Sequence, residues 1–435
     1  MSHNTTSLFG LLILGLVLSP WPLGSNRDWA WPVFSVLYIL LALGLVFRSS
    51  TVNTVHSRLI LAAFALLLAW ILWQWFGLPG LVDPITIDRF ATRSEFLKTL
   101  TYACFFFATV QLVRSSDRVH TAIYAVVLAG LAEALFGGIQ QLMLDIPRSR
   151  GSFPNPNHFA GYLEMALGLG IGLMLTGPTP DGDTRTSLID FITGPLGRLR
   201  VIIVIMVIAL VMSRSRMGNA AFFTSILVTA AVSFYYSRSF SRYAVMLLVS
   251  ILALDALVIG SYFGIERLGE RLRHTTVDAQ ARAGLIDYNA RIFKDHFWQG
   301  SGAGTYETVF PPYRDATVPK KAVHAEMEYI ELLIELGFIG TLPLIAILLT
   351  GLHAQVRLLG SMSPTFERGV AFGCLTGTVA LLIHGIADVN LQIPANALLF
   401  VFLLALPVAL LESRHQPATK ASTRPDLKTG MVQRQ

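Results

Sequence analysis

Residues 323–340 read VHAEMEYIELLIELGFIG, which puts a histidine and four glutamates at the mouth of, and then inside, an otherwise apolar helix. Ionisable groups at membrane depth cost several kcal/mol, so they are paired, turned toward a cavity, or put to chemical use. Glu328, Glu331 and Glu335 are spaced by three and four and share one helix face. His324 and Glu326 stand just before them, where a long polar loop ends. An imidazole or carboxylate there suits removal of a proton from an attacking hydroxyl.

Four further clusters suit an anionic substrate. The run RSRGSFPNPNH at 148–158 carries Arg148, Arg150, Asn155, Asn157 and His158. Its asparagines can cap a helix, and a helix N-terminus beside arginines attracts anions. A capped junction whose arginines reach to lipid headgroups fits equally well. Arg214 and Arg216, in SRSR at 213–216, can clamp a phosphate or anchor at the interface. Arg282 precedes GSGAGTY at 300–306, whose glycines permit close backbone approach up to Tyr306. That run lacks the Lys-Ser/Thr of a phosphate-binding P-loop. His384 and Asp388 are four apart and can touch, with Asn390, Gln392 and Asn396 beyond them. None of these clusters has zinc or calcium ligand spacing, and there is no Gly-x-Ser-x-Gly elbow, so no metal or cofactor is expected. Asp181-Gly182-Asp183 and Asn4-Thr5-Thr6 match metal and glycosylation patterns, but fall in a Pro/Gly-rich loop and at an expected cytoplasmic end.

The elements that must position these groups follow from composition. Hydrophobic residues make up 53% of the 435 and charged residues only 14%, where a soluble chain carries about a quarter. Apolar runs recur throughout, about twelve in all: 7–23, 30–47, 59–76, 96–113, 119–144, 158–176, 201–212, 217–236, 243–263, 326–352, 369–386 and 395–411. The predicted fold is all-α and polytopic. A transmembrane domain covers 1–414, with a large loop at 264–323 between the ninth and tenth helices and a polar, disordered tail at 415–435. Helical spacing within the loop covers 266–273 and 284–296. Arginines and lysines favour the loops on the side of both termini, which puts the termini in the cytoplasm and the long loop outside. A pI near 9.4, without a soluble domain to form a basic groove, fits topology and anionic lipid rather than nucleic acid. Cys104 and Cys374 fall in separate helices and form neither a disulfide framework nor a metal site.

Taken together, RGSFPNPNHFAGYL (150–163), SRMG (215–218), RAGLIDYNARIFKDHFWQGSGAGTY (282–306), HAEMEYIELLIELGFIG (324–340) and DVNLQIPANALLF (388–400) resemble the bacterial O-antigen ligase and polymerase family of integral-membrane glycosyltransferases. The motifs run in the family's order from about the fifth helix onward; the first helices are generic. The resemblance implies transfer of a glycan from an undecaprenyl-diphosphate carrier to an acceptor hydroxyl, at the periplasmic face of the inner membrane. The implied chemistry is metal-independent and inverting. By position Arg216 and Arg282 match the family's essential arginines, whose implied role is to hold the diphosphate. The chain departs from the family in two places. Where the family's histidine base precedes Gly-x-x-Gly, this chain has Glu326, with His324 two residues upstream. The base is then His324, oriented by Glu326, or Glu326 itself. Phe297 stands where the family has proline.

The leading expectation is a polymerase that joins lipid-linked repeat units into O-antigen or exopolysaccharide. The ligase that moves glycan onto lipid A–core comes second, then a protein O-glycosyltransferase. A lipid-linked glycan transporter or flippase fits less well, because the sequence shows no repeat pattern of broken helices. Expected partners are the undecaprenyl-diphosphate-linked glycan, the acceptor glycan or lipid A–core, and membrane lipids.

Overall fold

The computed structural model describes residues 3–48, 52–77, 83–176, 194–237, 285–314, 323–360, 362–363 and 365–414. Within them the chain forms helices α1 (His3–Leu18), α2 (Ala30–Val46), α3 (Val55–Phe76), α4 (Arg89–Leu112), α5 (Ser116–Met143), α6 (Pro156–Leu175), α7 (Pro195–Met212) and α8 (Arg216–Ser237). Helix α9 (285–295) follows, then α10 (Glu328–Leu359), α11 (Thr365–His384) and α12 (Pro394–Arg414). No strand occurs among the described residues. Seven of these helices (α3, α5, α6, α8, α10, α11 and α12) are long and apolar enough to cross a bilayer, and α1 and α2 are shorter apolar helices. The protein is a polytopic helical membrane protein. Each predicted span is helical here except 243–263, which lies outside the described residues, as do 266–273 and 415–435.

Local chemistry sets the helix starts. Thr54 accepts from Ser57 N to open α3, and Asp88 from Phe90 N and Ala91 N to open α4. Ser115 opens α5, and Asn155 opens α6 with Pro156 in the first turn. These side chains satisfy amide groups that a helix start leaves without intrahelical partners. The short predicted seventh span becomes an 18-residue helix because α7 begins earlier, at Pro195.

Helix α12 is the axis of the bundle: its apolar window is wholly buried, and that of α6 is 94% buried, against 33% for α3, α8 and α10. Helices α6 and α11 touch backbone to backbone. A Cβ placed on Gly172 would lie 2.5 Å from Gly369 O, so this seam depends on small residues, as membrane helix contacts commonly do.

Helix α10 differs from the rest. Its 32 residues would span about 48 Å, more than the roughly 30 Å of a bilayer's hydrocarbon. It is broken at Gly337, whose φ of 69° and ψ of 177° are not helical. The loop 297–302 meets this break. Phe338 N donates to Phe297 O (2.7 Å) and Ile339 N to Trp298 O (3.3 Å), while Ser301 N and Gly302 N donate to Ile334 O and Glu335 O. Every backbone group freed in a membrane needs such a partner. A Cβ on Gly337 would fall 2.4 Å from Gly300 N, which accounts for glycine on both sides of the contact. The sequence reading anticipated no interrupted helix; α10 is one.

Candidate active site

The loops at the α6, α8 and α10 N-termini and the α11–α12 connection meet at one end of the bundle, where the glutamates of α10 bind the turn at Tyr306, the entry to α10 and the α11–α12 connection. All three share the predicted face and are buried, and each holds a different segment. Glu335 Oε1 accepts from Tyr306 N at 3.0 Å. Glu331 accepts from Ala325 N at 2.7 Å through Oε2, and its Oε1 lies 2.8 Å from His324 Nδ1. Glu328 Oε2 accepts from Leu391 N at 2.8 Å, and Glu328 N donates to Gly385 O and Asp388 O.

His324 therefore has a carboxylate on Nδ1, which leaves Nε2 as the nitrogen able to accept a proton. Its side chain is 29% exposed, against 2% for Glu331. Burial lowers the His324 pKa, but the Glu331 hydrogen bond and charge, with Glu328 and Glu326 nearby, outweigh it and hold the imidazole above its ordinary value. The orienting carboxylate is Glu331, seven residues on, rather than Glu326. Glu326 is exposed at a backbone φ of 58°, in the left-handed region. The turn there separates the two side chains.

A second network starts at Arg148. Its Nε donates to Ser213 O at 2.9 Å and its Nη2 to Asn157 Oδ1 at 2.8 Å. Asn157 Nδ2 donates to Asp388 Oδ2, and His158 Nε2 lies 3.5 Å from Asp388 Oδ1. Burial raises the Asp388 carboxyl, but His158, the nearby His384 and the Val389 amide more than offset this and hold it below the usual range. Burial lowers the Arg148 pKa; Asp388 opposes this, and the neighbouring charges of Arg214 and Arg216 add to it. Three arginines thus gather at the ends of α6, α7 and α8. Arg214 lies in the left-handed region at φ 52°, and Arg216 is exposed as the first residue of α8. Arg150 is exposed beside them, and Asn155 acts as the α6 cap, accepting from Asn157 N. Arg282 lies outside the described residues.

The predicted contact between His384 and Asp388 is absent, because α11 ends at His384 and the chain turns. His384 Nδ1 lies 2.9 Å from Glu164 Oε1 instead, with both residues fully buried. Tyr306 also departs from its assignment to the pocket. Its hydroxyl donates to Asn289 Oδ1 at 2.6 Å, and its ring packs with Tyr288, Ile292 and Phe310 in a small core beneath the loop. Glu164 escaped the sequence reading, although it is an acid in the middle of an apolar helix, the same signal that marked Glu328. Several buried atoms here have no hydrogen-bond partner among the described residues: Glu164 Oε2, Glu328 Oε1, His158 Nδ1 and His384 Nε2. Among the described residues, no cluster of histidine, cysteine and carboxylate could hold a metal ion.

A multi-pass helical bundle with acid–imidazole pairs and clustered arginines at one mouth defines an integral-membrane protein with polar chemistry at the end of its helices. Residues 201–345, from α7 into the second half of α10, match a family model described as O-antigen ligase. This part of the chain is similar to that family, and the match does not extend over the rest. No curated protein matches the chain. The matched stretch contains Arg214, Arg216, His324 and the α10 glutamates, and stops short of Asp388.

Proposed function

We propose that this protein transfers a glycan from an undecaprenyl-diphosphate carrier to an acceptor sugar hydroxyl at the periplasmic face of the inner membrane, as a polymerase of lipid-linked repeat units. The observation that carries this reading is the Glu331–His324 pair, a base held in one tautomer and linked through Glu328 and the 385–391 turn to the Arg148–Asn157–Asp388 network. In the reaction, His324 Nε2 takes the proton from the acceptor hydroxyl, and Glu331 stabilises the imidazolium that forms. The hydroxyl oxygen attacks the anomeric carbon from the face opposite the diphosphate, the bond to the diphosphate oxygen breaks, and the configuration inverts. Arg216 and Arg214, with Arg148, Arg150 and Arg282, carry the negative charge of the departing diphosphate. Diphosphate leaves well as an anion, so the scheme needs no general acid. The unpartnered Glu328 Oε1 is available to a substrate hydroxyl.

The family description favours a second reading, a ligase that moves finished glycan onto lipid A–core. The two share a donor and differ in acceptor. A gel of glycan length from a deletion strain, complemented with wild-type or Arg216→Ala protein, tests both. Single repeats in the variant, where wild type makes a ladder, support the polymerase. A full ladder left on its lipid carrier supports the ligase. An unchanged ladder on the usual acceptor overturns both.

A further inference from the structure

The proposed reaction needs its base and its arginines at one fixed separation, and they stand on different helices. His324 belongs to the entry of α10, and Arg148, Arg214 and Arg216 to the ends of α6, α7 and α8. Three hydrogen bonds join α10 to the turn after α11: Glu328 N donates to Gly385 O and Asp388 O, and Leu391 N donates to Glu328 Oε2. The base side therefore moves with the end of α11. The separation then depends on how that end is held against α6.

The seam between α6 and α11 does not hold it alone, because the seam is built of glycine. A Cβ on Gly168 would lie 2.8 Å from Gly373 O, and one on Gly373 would lie 2.7 Å from Gly168 O. Such a contact sets the distance between two helices. Without side chains to interlock, it resists sliding along the axis only weakly. A directional bond supplies what the seam lacks. His384 is the last residue of α11, and its Nδ1 lies 2.9 Å from Glu164 Oε1, about two turns into α6. Glu164 also lies against α8, since a Cβ on Gly218 would come within 2.7 Å of its Oε1. Gly218 N donates to Ser215 Oγ, beside Arg216. The pair thus reaches from the turn that holds Glu328 to the helix that begins with Arg216.

A second link, from Asp388 to Asn157 and His158, runs through the mouth itself and carries Arg148. The Glu164–His384 link is closed off, with both side chains fully buried, so neither touches substrate. A buried acid–imidazole pair gives little net stability, and apolar residues of similar volume commonly do as well or better. Apolar residues would fill the space but would not define a register. We propose that Glu164 and His384 are positioning residues, which fix the register of α11 on α6 and so set the separation between His324 and the arginines. The proposal rests on the reading of the mouth as a transferase site.

The test replaces the pair by Glu164→Met with His384→Leu, which leaves no charge buried alone. The full chain carries nitroxide labels at Met143→Cys and Trp298→Cys, both exposed positions, in a background of Cys104→Ala and Cys374→Ala. Position 143 ends α5 on the arginine side, and position 298 lies on the break of α10. The double variant should melt at or above the wild-type temperature, yet its label-to-label distance should broaden. Transfer per folded molecule should fall about a hundredfold, through kcat. Donor KM should stay within about twofold, and the acid limb of the pH profile should not move, because His324 remains the base. Glu164→Gln keeps an oxygen for the hydrogen bond and should retain most of the rate and the narrow distance. An unchanged rate or distance in the double variant would overturn the proposal. So would a loss carried by KM or a displaced acid limb, which would put His384 on the substrate or make it the titrating group. If the double variant does not fold, His384→Asn, too short to reach Glu164, decides by the same readouts. The distance is read without substrate. A distance that broadens in a protein whose wild type transfers no glycan would therefore keep the register and sink the transferase reading alone.

Discussion

Both ends of this bundle bury glutamates, and the two ends use them differently. At the end away from the candidate site, Glu412 on α12 accepts from Asn53 N, Thr54 N and Ser57 Oγ. Both of its oxygens are occupied by the start of α3, and the acid closes that junction. Glu133 does the same at the site end, with one oxygen taken by Ser152 N and the other by Ser152 Oγ. Glu164 and Glu328 lie in the same low-dielectric interior but keep one oxygen without a partner among the described residues. A buried acceptor left open costs more than a saturated one contributes, so it persists where a further group must be received. The state of the second oxygen, more than depth in the membrane, separates acids saturated by the fold from acids able to receive a further group; Glu331 is saturated, and in the proposed mechanism it acts only through His324.

Four substitutions probe that contrast. The largest effect is expected for His324→Ala, which should lower transfer by about 10²–10⁴-fold, as loss of a general base does, while the melting temperature stays near wild type. A wild-type rate would remove His324 from the mechanism. Glu331→Gln should lower the rate roughly a hundredfold by loosening the imidazole, and it should also change the pH profile. A base works in its neutral form, so the wild-type rate climbs as pH rises through the His324 pKa, which Glu331 helps to raise. With that charge gone the pKa falls and the acid limb moves to lower pH; a limb that stays in place would show that His324 is not the titrating base. Gly337→Ala should cost about 2–3 kcal/mol of stability, because its backbone region suits glycine alone. Faster proteolysis of the 297–302 loop would report this. The smallest effect is expected for Glu412→Ala, which should lower stability by about 1–2 kcal/mol yet leave transfer per folded molecule unchanged. A large loss of transfer there would erase the distinction between the two ends.

The helices were legible in the sequence because a bilayer forces long apolar runs, and these survive any detail of packing. The α10 face was legible for a similar reason, since three and four are helical spacings whatever lies opposite. Partner choice was less accessible. His324 takes Glu331 rather than Glu326 because the backbone turns over at Glu326, and nothing in the local pattern marks a left-handed glutamate. His384 takes Glu164 because α11 ends where an unbroken helix would have brought it to Asp388. Tyr306 follows a glycine-rich turn and looks available, yet the prolines after it fold the chain into a core of its own. The break at Gly337 was the hardest to foresee. Its cause lies in residues 297–302, and a single glycine among apolar neighbours reads as an ordinary helical position.

That break also bears on how the chain is made. The residues that complete α10 at Phe338 and Ile339 precede it in synthesis, so the cap exists before the helix that needs it. The upper half of α10 reaches its final state only once segment 297–302 has arrived on the same side of the bilayer. Assembly of the acid–imidazole pair is thereby tied to placement of the preceding loop, and a molecule whose loop was misplaced would lack both the cap and the pair beside it.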